Sequence, residues 1–310
     1  MIILDQILDG VYRKSFPVRH DGNPVLRYPS PSDFGMRKDP FSFLSCGNRL
    51  SGYRYSDGSK PKAVLLFFHG ATAGHRAYTA EIVAFCKQGY LVYAYDYTGC
   101  MSSEGKDCNG MGQPLLDQKA FFEFFEKDEP QKGLTRFAVG HSWGGFCALS
   151  CLKEEYNVSK VICLAGVDSI AEMSSWRFGD RKRTIKRILE GYLKRKYGPI
   201  ALFDGLEAMK KTTKEVLCVS GDKDDVVDYN HFFKRYEKEA SSNPHVHFLS
   251  VKDRGHQCYW TPDAQRYYLD IALNKHVREL QADPKFVIDF SRLMQDDEKV
   301  MQSLFDFLSA

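Results

Sequence analysis

Several things are missing from this sequence. Its nine cysteines include no C-x-x-C pair, no apolar run approaches the length of a membrane span, and no sign of charge dominates. The odd, unclustered cysteines argue against a disulfide framework or a zinc ribbon, and several sit inside apolar runs, so most read as small reduced core residues. With 43 Lys and Arg against 40 Asp and Glu, the net charge of +3 gives no global reason to bind nucleic acid. The opening "MIILDQILDG" carries Asp5 and Asp9 and lacks the basic start, continuous apolar core and small-residue cleavage site of a secretory signal. Without a 20-residue apolar stretch either, the expectation is a soluble, cytoplasmic protein. Repeats and low-complexity tracts are absent as well. No group of ligands has metal spacing, and no glycine loop fits a phosphate apart from the serine-bearing turn discussed below, so neither metal nor cofactor is expected.

What is present is rhythm. The chain has 310 residues, 43% of them hydrophobic, enough for a substantial core. From Ala63 onward, short apolar runs alternate with segments of helical period. The runs are "AVLLFF" (63–68), "YLVYAY" (90–95), "TRFAVG" (135–140), "KVICLA" (160–165), "EVLCVS" (215–220) and "VHFLSV" (246–251). Helical segments fall near 76–88, 115–127, 144–155, 229–241 and 263–275. This pattern predicts an α/β fold: a mostly parallel, doubly wound sheet flanked by helices. Upstream, residues 20–40 read as irregular loop, and "FSFLSC" with "RLSGYRYS" reads as an antiparallel edge hairpin.

The alternation pauses over 168–211, where Ile185, Ile188, Leu189, Tyr192 and Leu193 share one helical face. The segment reads as an inserted helical cap. Its opposite face carries Arg181, Lys182, Arg183, Lys186, Arg187, Lys194, Arg195 and Lys196, either a solvated face or a weak contact for anionic lipid or substrate. Residues 276–310 read as a C-terminal helical extension, the whole chain forming a single domain over 1–310.

The chemistry centres on "AVGHSWGGF". A strand, then G-x-S-x-G, then a helix describes a nucleophile elbow: Gly140 and Gly144 allow a tight turn that exposes Ser142. A serine hydroxyl is a poor nucleophile at neutral pH and needs a base and an orienting acid. His256, on the loop just past the last apolar run, is the candidate base. His141, His245 and His247 read as structural, while His20, His75, His231 and His276 lack supporting context. For the acid, "GDKDDVVD" offers Asp222, Asp224, Asp225 and Asp228 beyond a strand, with Asp224 preferred. The chain order Ser142, Asp224, His256 is that of one particular hydrolase fold. Backbone donors for the oxyanion would be the amide of Trp143 and that of Ala71, with Thr72 as the neighbouring alternative. His69 reads as a brace for that loop.

Together, "HGATAGHRAY", "YDYTGCMSSEG", "GHSWGG", "GDKDDVV" and the Gly255–His256 pair resemble the α/β-hydrolase superfamily. Most similar is its branch of monoacylglycerol lipases, lysophospholipases and serine aminopeptidase-like hydrolases. The resemblance implies an α/β-hydrolase fold, the triad Ser142, Asp224 and His256, and an oxyanion hole at Ala71 and Trp143; Gly221 and Val227 single out Asp224. The chain departs from the usual pattern at Tyr97, Met101 and Trp143, which bear on substrate shape. The leading expectation is a serine esterase or lipase-like enzyme acting on a small-molecule ester, its acyl group either a short aliphatic or aryl acid or a longer chain received under the cap. The alternatives are an aminopeptidase-like amide hydrolase and a non-catalytic ligand-binding protein on the same scaffold.

Overall fold

The computed structural model describes residues 5–10, 19–21, 26–71, 74–273, 279, 283 and 285–310. Eight strands form one sheet: β1 (Arg37–Ser45), β2 (Asn48–Ser56), β3 (Ala63–Phe68), β4 (Tyr90–Tyr95), β5 (Arg136–His141), β6 (Lys160–Leu164), β7 (Glu215–Gly221) and β8 (Val246–Val251). Their spatial order is β1-β2-β4-β3-β5-β6-β7-β8. β1 pairs antiparallel with β2, and β2 with β4; every later pairing is parallel. The antiparallel hairpin lies at the edge, as its polar alternation suggests. It begins earlier than expected, because Lys38, Asp39 and Pro40 already belong to β1. An edge strand tolerates Pro40, since one of its sides needs no ladder donor.

β3 and β4 are buried at every position, which is why they read as unbroken apolar runs. Side chains alternate between faces. Leu66 and Phe68 join Tyr95, Phe121 and Phe146 in one core, while Leu65 and Phe67 join Phe85, Val139 and Leu304 in the other. Each such side chain stabilises the fold by about 1.5–3 kcal/mol through burial, and truncating Phe67 to alanine would cost about 3–5 kcal/mol.

The helices between strands are α1 (Thr79–Lys87), α2 (Gln113–Phe125) and α3 (Trp143–Ser150), then α4 (Ile170–Ser175), α5 (Lys182–Tyr197) and α6 (Gly205–Lys211), all three between β6 and β7. They are followed by α7 (Phe233–Ala240), α8 (Pro262–Tyr268), α9 (Phe290–Leu293) and α10 (Glu298–Ser309). α3 stops at Ser150, short of the expected 155, and a separate 3-10 turn follows at Glu154–Tyr156. α7 begins at Phe233, and α8 ends at Tyr268 before a π-type turn over Leu269–Leu273. Of the tail, α9 and α10 are described; 276–278, 280–282 and Pro284 lie outside the described residues.

In α5, Leu189, Tyr192 and Leu193 are buried as the periodicity predicts, but Ile188 points outward and is exposed. The basic face is only partly solvated. Lys182 and Lys186 reach Glu172 at 2.5 and 3.1 Å, and Arg195 and Lys196 pair with Asp5 and Asp9 at 2.5 and 2.7 Å. Four of the eight cations therefore meet acids, two of them contributed from the start of the chain, 187 and 190 residues away in sequence. Among the described residues, no helix is long and apolar enough to cross a membrane. None of the nine cysteines forms a disulfide, and all but Cys46 are buried.

Candidate active site

β3 is flanked by β4 on one side and β5 on the other, so the connections that leave its end of the sheet run in opposite directions, and such a switch point leaves a crevice beyond the carboxyl ends of the strands. The loop after β3 and the turn after β5 both enter that crevice. At the turn, Ser142 adopts φ 58° and ψ −118°, a left-handed conformation that a side chain rarely accepts. Its neighbours show why the turn demands glycine. A Cβ on Gly140 would lie 2.0 Å from the Gly144 carbonyl oxygen, and one on Gly144 would lie 1.9 Å from that of Phe68. The strained serine is held from behind by its own N–H, which donates to Leu164 O at 2.8 Å. Trp143 opens α3, whose first-turn N–H groups have no intrahelical acceptor and carry the positive end of the helix dipole.

Asp224 and His256 meet across the loops that follow β7 and β8. His256 Nδ1 lies 2.9 Å from Asp224 Oδ2. The other carboxylate oxygen, Oδ1, accepts the N–H groups of Val226 and Val227, each at 3.0 Å. The Asp224 side chain is fully buried and that of His256 is 12% exposed, so the acid is locked while the imidazole reaches outward. Ser142 and His256 line the same cavity of about 710 Å³, together with Ala71. The Ser142 hydroxyl forms no hydrogen bond to His256 here; such bonds commonly tighten only when substrate is bound. Thr72, the alternative oxyanion residue, lies outside the described residues. Asp225 also lines the cavity, whereas Asp222 accepts the Asp253 N–H and Asp228 that of His231.

The cavity is lined away from the residues read as a cap. Its described walls come from the loops after β7 and β8 and from α8, with Gln265, Tyr268 and Leu269, and include no residue of 168–211. An acyl chain lying beneath the cap therefore finds no support in this lining. Lys223, Asp225 and Asp253 add charge to the walls.

Other described histidines hold structural positions, while His276 lies outside the described residues. His69 Nδ1 donates to Gly70 O at 2.7 Å while its Nε2 accepts the Tyr97 N–H, and burial holds the imidazole down at about 4, so it stays neutral. His245 and His247 both bond Glu215. His75 lies 2.8 Å from buried Asp96. The residues that depart from the family pattern brace this region: the Tyr97 ring packs on His69 at a centroid distance of 4.0 Å, and Trp143 Nε1 donates to Met111 O at 3.1 Å. Sequence reasoning passed over Tyr78 and gave His141 no more than a scaffold role, yet the two side chains link the loop of Gly70 to the loop of His256. Only the aromatic character of Tyr78, eight residues past Gly70, hinted at a packing role. Among the described residues, no group of three or more His, Cys, Asp or Glu side chains is placed to hold a metal ion.

Comparison with known proteins agrees with this architecture. Residues 59–204 match the family model described as serine aminopeptidase, S33. An uncharacterized peptidase, YtmA of Bacillus subtilis (strain 168), is 24% identical over 216 residues, covering 68% of this chain and 82% of that protein. The Pyrococcus furiosus esterase Pf2001 superposes with a TM-score of 0.62 at 17% identity, covering 94% of this chain and 97% of that one. Est1E from Butyrivibrio proteoclasticus, solved with ferulic acid bound, gives 0.58 at 16% identity, with 87% and 100% covered. Its strand order and elbow give the chain an α/β-hydrolase fold, and residues 59–204 are similar to the S33 serine aminopeptidase model.

Proposed function

We propose that the protein is a serine hydrolase that cleaves a carboxylic ester through an acyl-enzyme on Ser142. The observation that carries this reading is one cavity holding a strained elbow serine and a histidine already bonded to a buried aspartate. Ser142 Oγ attacks the carbonyl carbon as its proton passes to His256 Nε2. Asp224 keeps the Nδ1 proton directed at itself and stabilises the imidazolium. The carbonyl electrons move onto oxygen, which the amides of Ala71 and Trp143 receive; one such donor is worth about 10² to 10³ in turnover. Collapse expels the alcohol, which takes the proton from His256. Water then repeats the sequence on the acyl-enzyme and releases the acid.

Charged walls suit a short or polar acyl group better than a long aliphatic one. The test is hydrolysis of p-nitrophenyl esters from acetate to dodecanoate by the native protein and by Ser142→Ala. The expected result is turnover lowered about 10⁴-fold or more by the substitution, with acetate or butyrate preferred. A second reading, cleavage of an aminoacyl amide, is favoured by Asp225 and Asp253, two carboxylates on the cavity wall that suit a substrate amino group. Faster serine-dependent cleavage of an aminoacyl p-nitroanilide than of any ester would establish it. Absence of serine-dependent turnover on either class would leave a ligand-binding protein. Nine thiols outside any disulfide suit a reducing compartment, and the cytoplasm is the site of action in this proposal. The exposed cap residues Arg181, Arg183, Arg187 and Lys194 remain available for a weak contact with anionic lipid or substrate.

A further inference from the structure

The residue before the nucleophile is a buried histidine, and its hydrogen bonds lead to both halves of the catalytic apparatus. His141 Nε2 lies 3.0 Å from the backbone oxygen of His256. A carbonyl can only accept, so Nε2 carries the proton. His141 Nδ1 lies 2.9 Å from the Tyr78 hydroxyl. Burial, and then the charge of His256, hold His141 down at about 3, so the ring is neutral and Nδ1 must accept. Tyr78 therefore donates to His141, which frees its oxygen to accept the Gly70 N–H at 2.9 Å. Every donor in this chain has one acceptor, and the direction of each bond follows from the next. The His141 ring also packs against that of His256 at a centroid distance of 4.7 Å and edge-on against Tyr259 at 5.3 Å, leaving little room to rotate.

The geometry assigns Tyr78 and His141 a positioning role: one relay, from Gly70 N–H through Tyr78 and His141 to the His256 carbonyl, ties the oxyanion loop to the backbone of the base. The inference rests on the serine-hydrolase reading above. Gly70 immediately precedes Ala71, so anchoring the Gly70 N–H holds the peptide next to the one from which the oxyanion donor projects, whose Gly70 oxygen is itself held by His69 Nδ1. At the other end, the same relay fixes the backbone that carries the imidazole. Both Tyr78 and His141 line the cavity and the His141 ring packs on that of His256, but neither hydrogen-bonds the Ser142 hydroxyl or the His256 imidazole. Their effect is to hold two loops, 186 residues apart in sequence from Gly70 to His256, in one relative placement, where an error of about 1 Å costs about 10²-fold in rate.

The test compares Tyr78→Phe, His141→Phe, His141→Gln and the double Tyr78→Phe/His141→Phe variant with the native enzyme and Ser142→Ala on the best p-nitrophenyl ester. Each Phe variant should lower kcat about 10- to 100-fold with KM within about twofold, because placement rather than binding is lost. Glutamine, which can donate and accept as the neutral imidazole does, should recover most of the loss at position 141. Since both residues serve one relay, the double variant should fall within about threefold of the worse single one. Multiplying losses, no rescue by glutamine, or an effect confined to KM would overturn the relay. In parallel, ¹⁵N NMR of the native protein should show His141 as the neutral Nε2–H tautomer from about pH 5 to 9, and a titrating ring or the opposite tautomer would overturn the relay even if the variants fail to fold. Equal activity of native protein and Ser142→Ala would instead sink the hydrolase reading, while the NMR result would still decide the relay.

Discussion

Two buried aspartates in this molecule each hold a histidine by Nδ1, Asp224 with His256 at 2.9 Å and Asp96 with His75 at 2.8 Å. Bond length does not distinguish them; what lies at the far nitrogen does. His75 Nε2 is 3.0 Å from the Tyr55 hydroxyl, and both members of its pair are almost fully buried. His256 instead presents its far side to the cavity it shares with Ser142. Asp96 also anchors the His75 N–H, and its remaining oxygen is buried without a partner, as in a joint that fastens one loop to another. Asp224 spends its second oxygen on two backbone donors, so its carboxylate is aligned before any substrate arrives. On the proposed mechanism, a carboxylate–histidine pair becomes chemical machinery where the ring's outer nitrogen meets space and a nucleophile. Another carboxylate–histidine pair, Glu172 with His231 Nε2 at 2.8 Å, shows a different outcome: Lys182, Lys186 and Arg235 crowd the same carboxylate, and the pair becomes part of an ionic hub fastening α4 to α5 and α7.

The sharpest way to break this comparison is to make the same substitution in both aspartates. Asp224→Asn should lower kcat for the best ester about 10⁴-fold while leaving thermal stability comparatively intact, because the imidazole loses its orientation and tautomer. Asp96→Asn should do the reverse. It should cost about 3 kcal/mol of stability, read from a denaturant melt, while kcat changes less than about tenfold. Equal catalytic losses from the two would remove the distinction.

A smaller effect is expected at the ionic hub. Burial pushes the Glu172 carboxyl up, but Lys182, His231, Lys186 and Arg235 outweigh it and bring the group down to about 2. A carboxylate whose value is lower in the folded than in the unfolded chain stabilises the fold fully above about pH 4.5, and that contribution is lost as pH falls toward about 2. Glu172→Gln should therefore lower Tm at about pH 6, with the gap from native closing as the melts are repeated from about pH 5 down to about pH 2. A gap independent of pH would show that the hub acts by packing alone. Smallest of all should be Tyr55→Phe, which removes the partner of His75 Nε2: about 1 kcal/mol of stability and no change in kcat. A catalytic defect there would mean that the His75 joint reaches the active site after all.

Much of this was legible in the sequence for a local reason. The elbow is a run of consecutive residues whose spacing reflects one tight turn, and Asp224 and His256 each follow closely on an apolar strand. Residues at strand ends in a parallel sheet must converge, so the proposed triad could be assembled before any coordinates. Matters decided by distant packing were not legible. Tyr78 and His141 are 63 residues apart and meet because β3 and β5, whose ends lead into them, are neighbours in the sheet. The acids that meet four of the eight cations on the basic face, Glu172, Asp5 and Asp9, carry no sequence signal that pairs them with α5. The lining of the cavity was equally hidden, since it joins Tyr268, at the end of α8, with the loop of His256.

The most direct measurement is stoichiometric labelling with a fluorophosphonate, followed by intact mass and peptide mapping, on native protein and on His256→Ala. The account predicts one adduct per chain, on the peptide containing Ser142, formed about 10³-fold more slowly when His256 is lost. No adduct, an adduct elsewhere, or labelling indifferent to His256 would contradict the claim that Ser142 is an activated nucleophile.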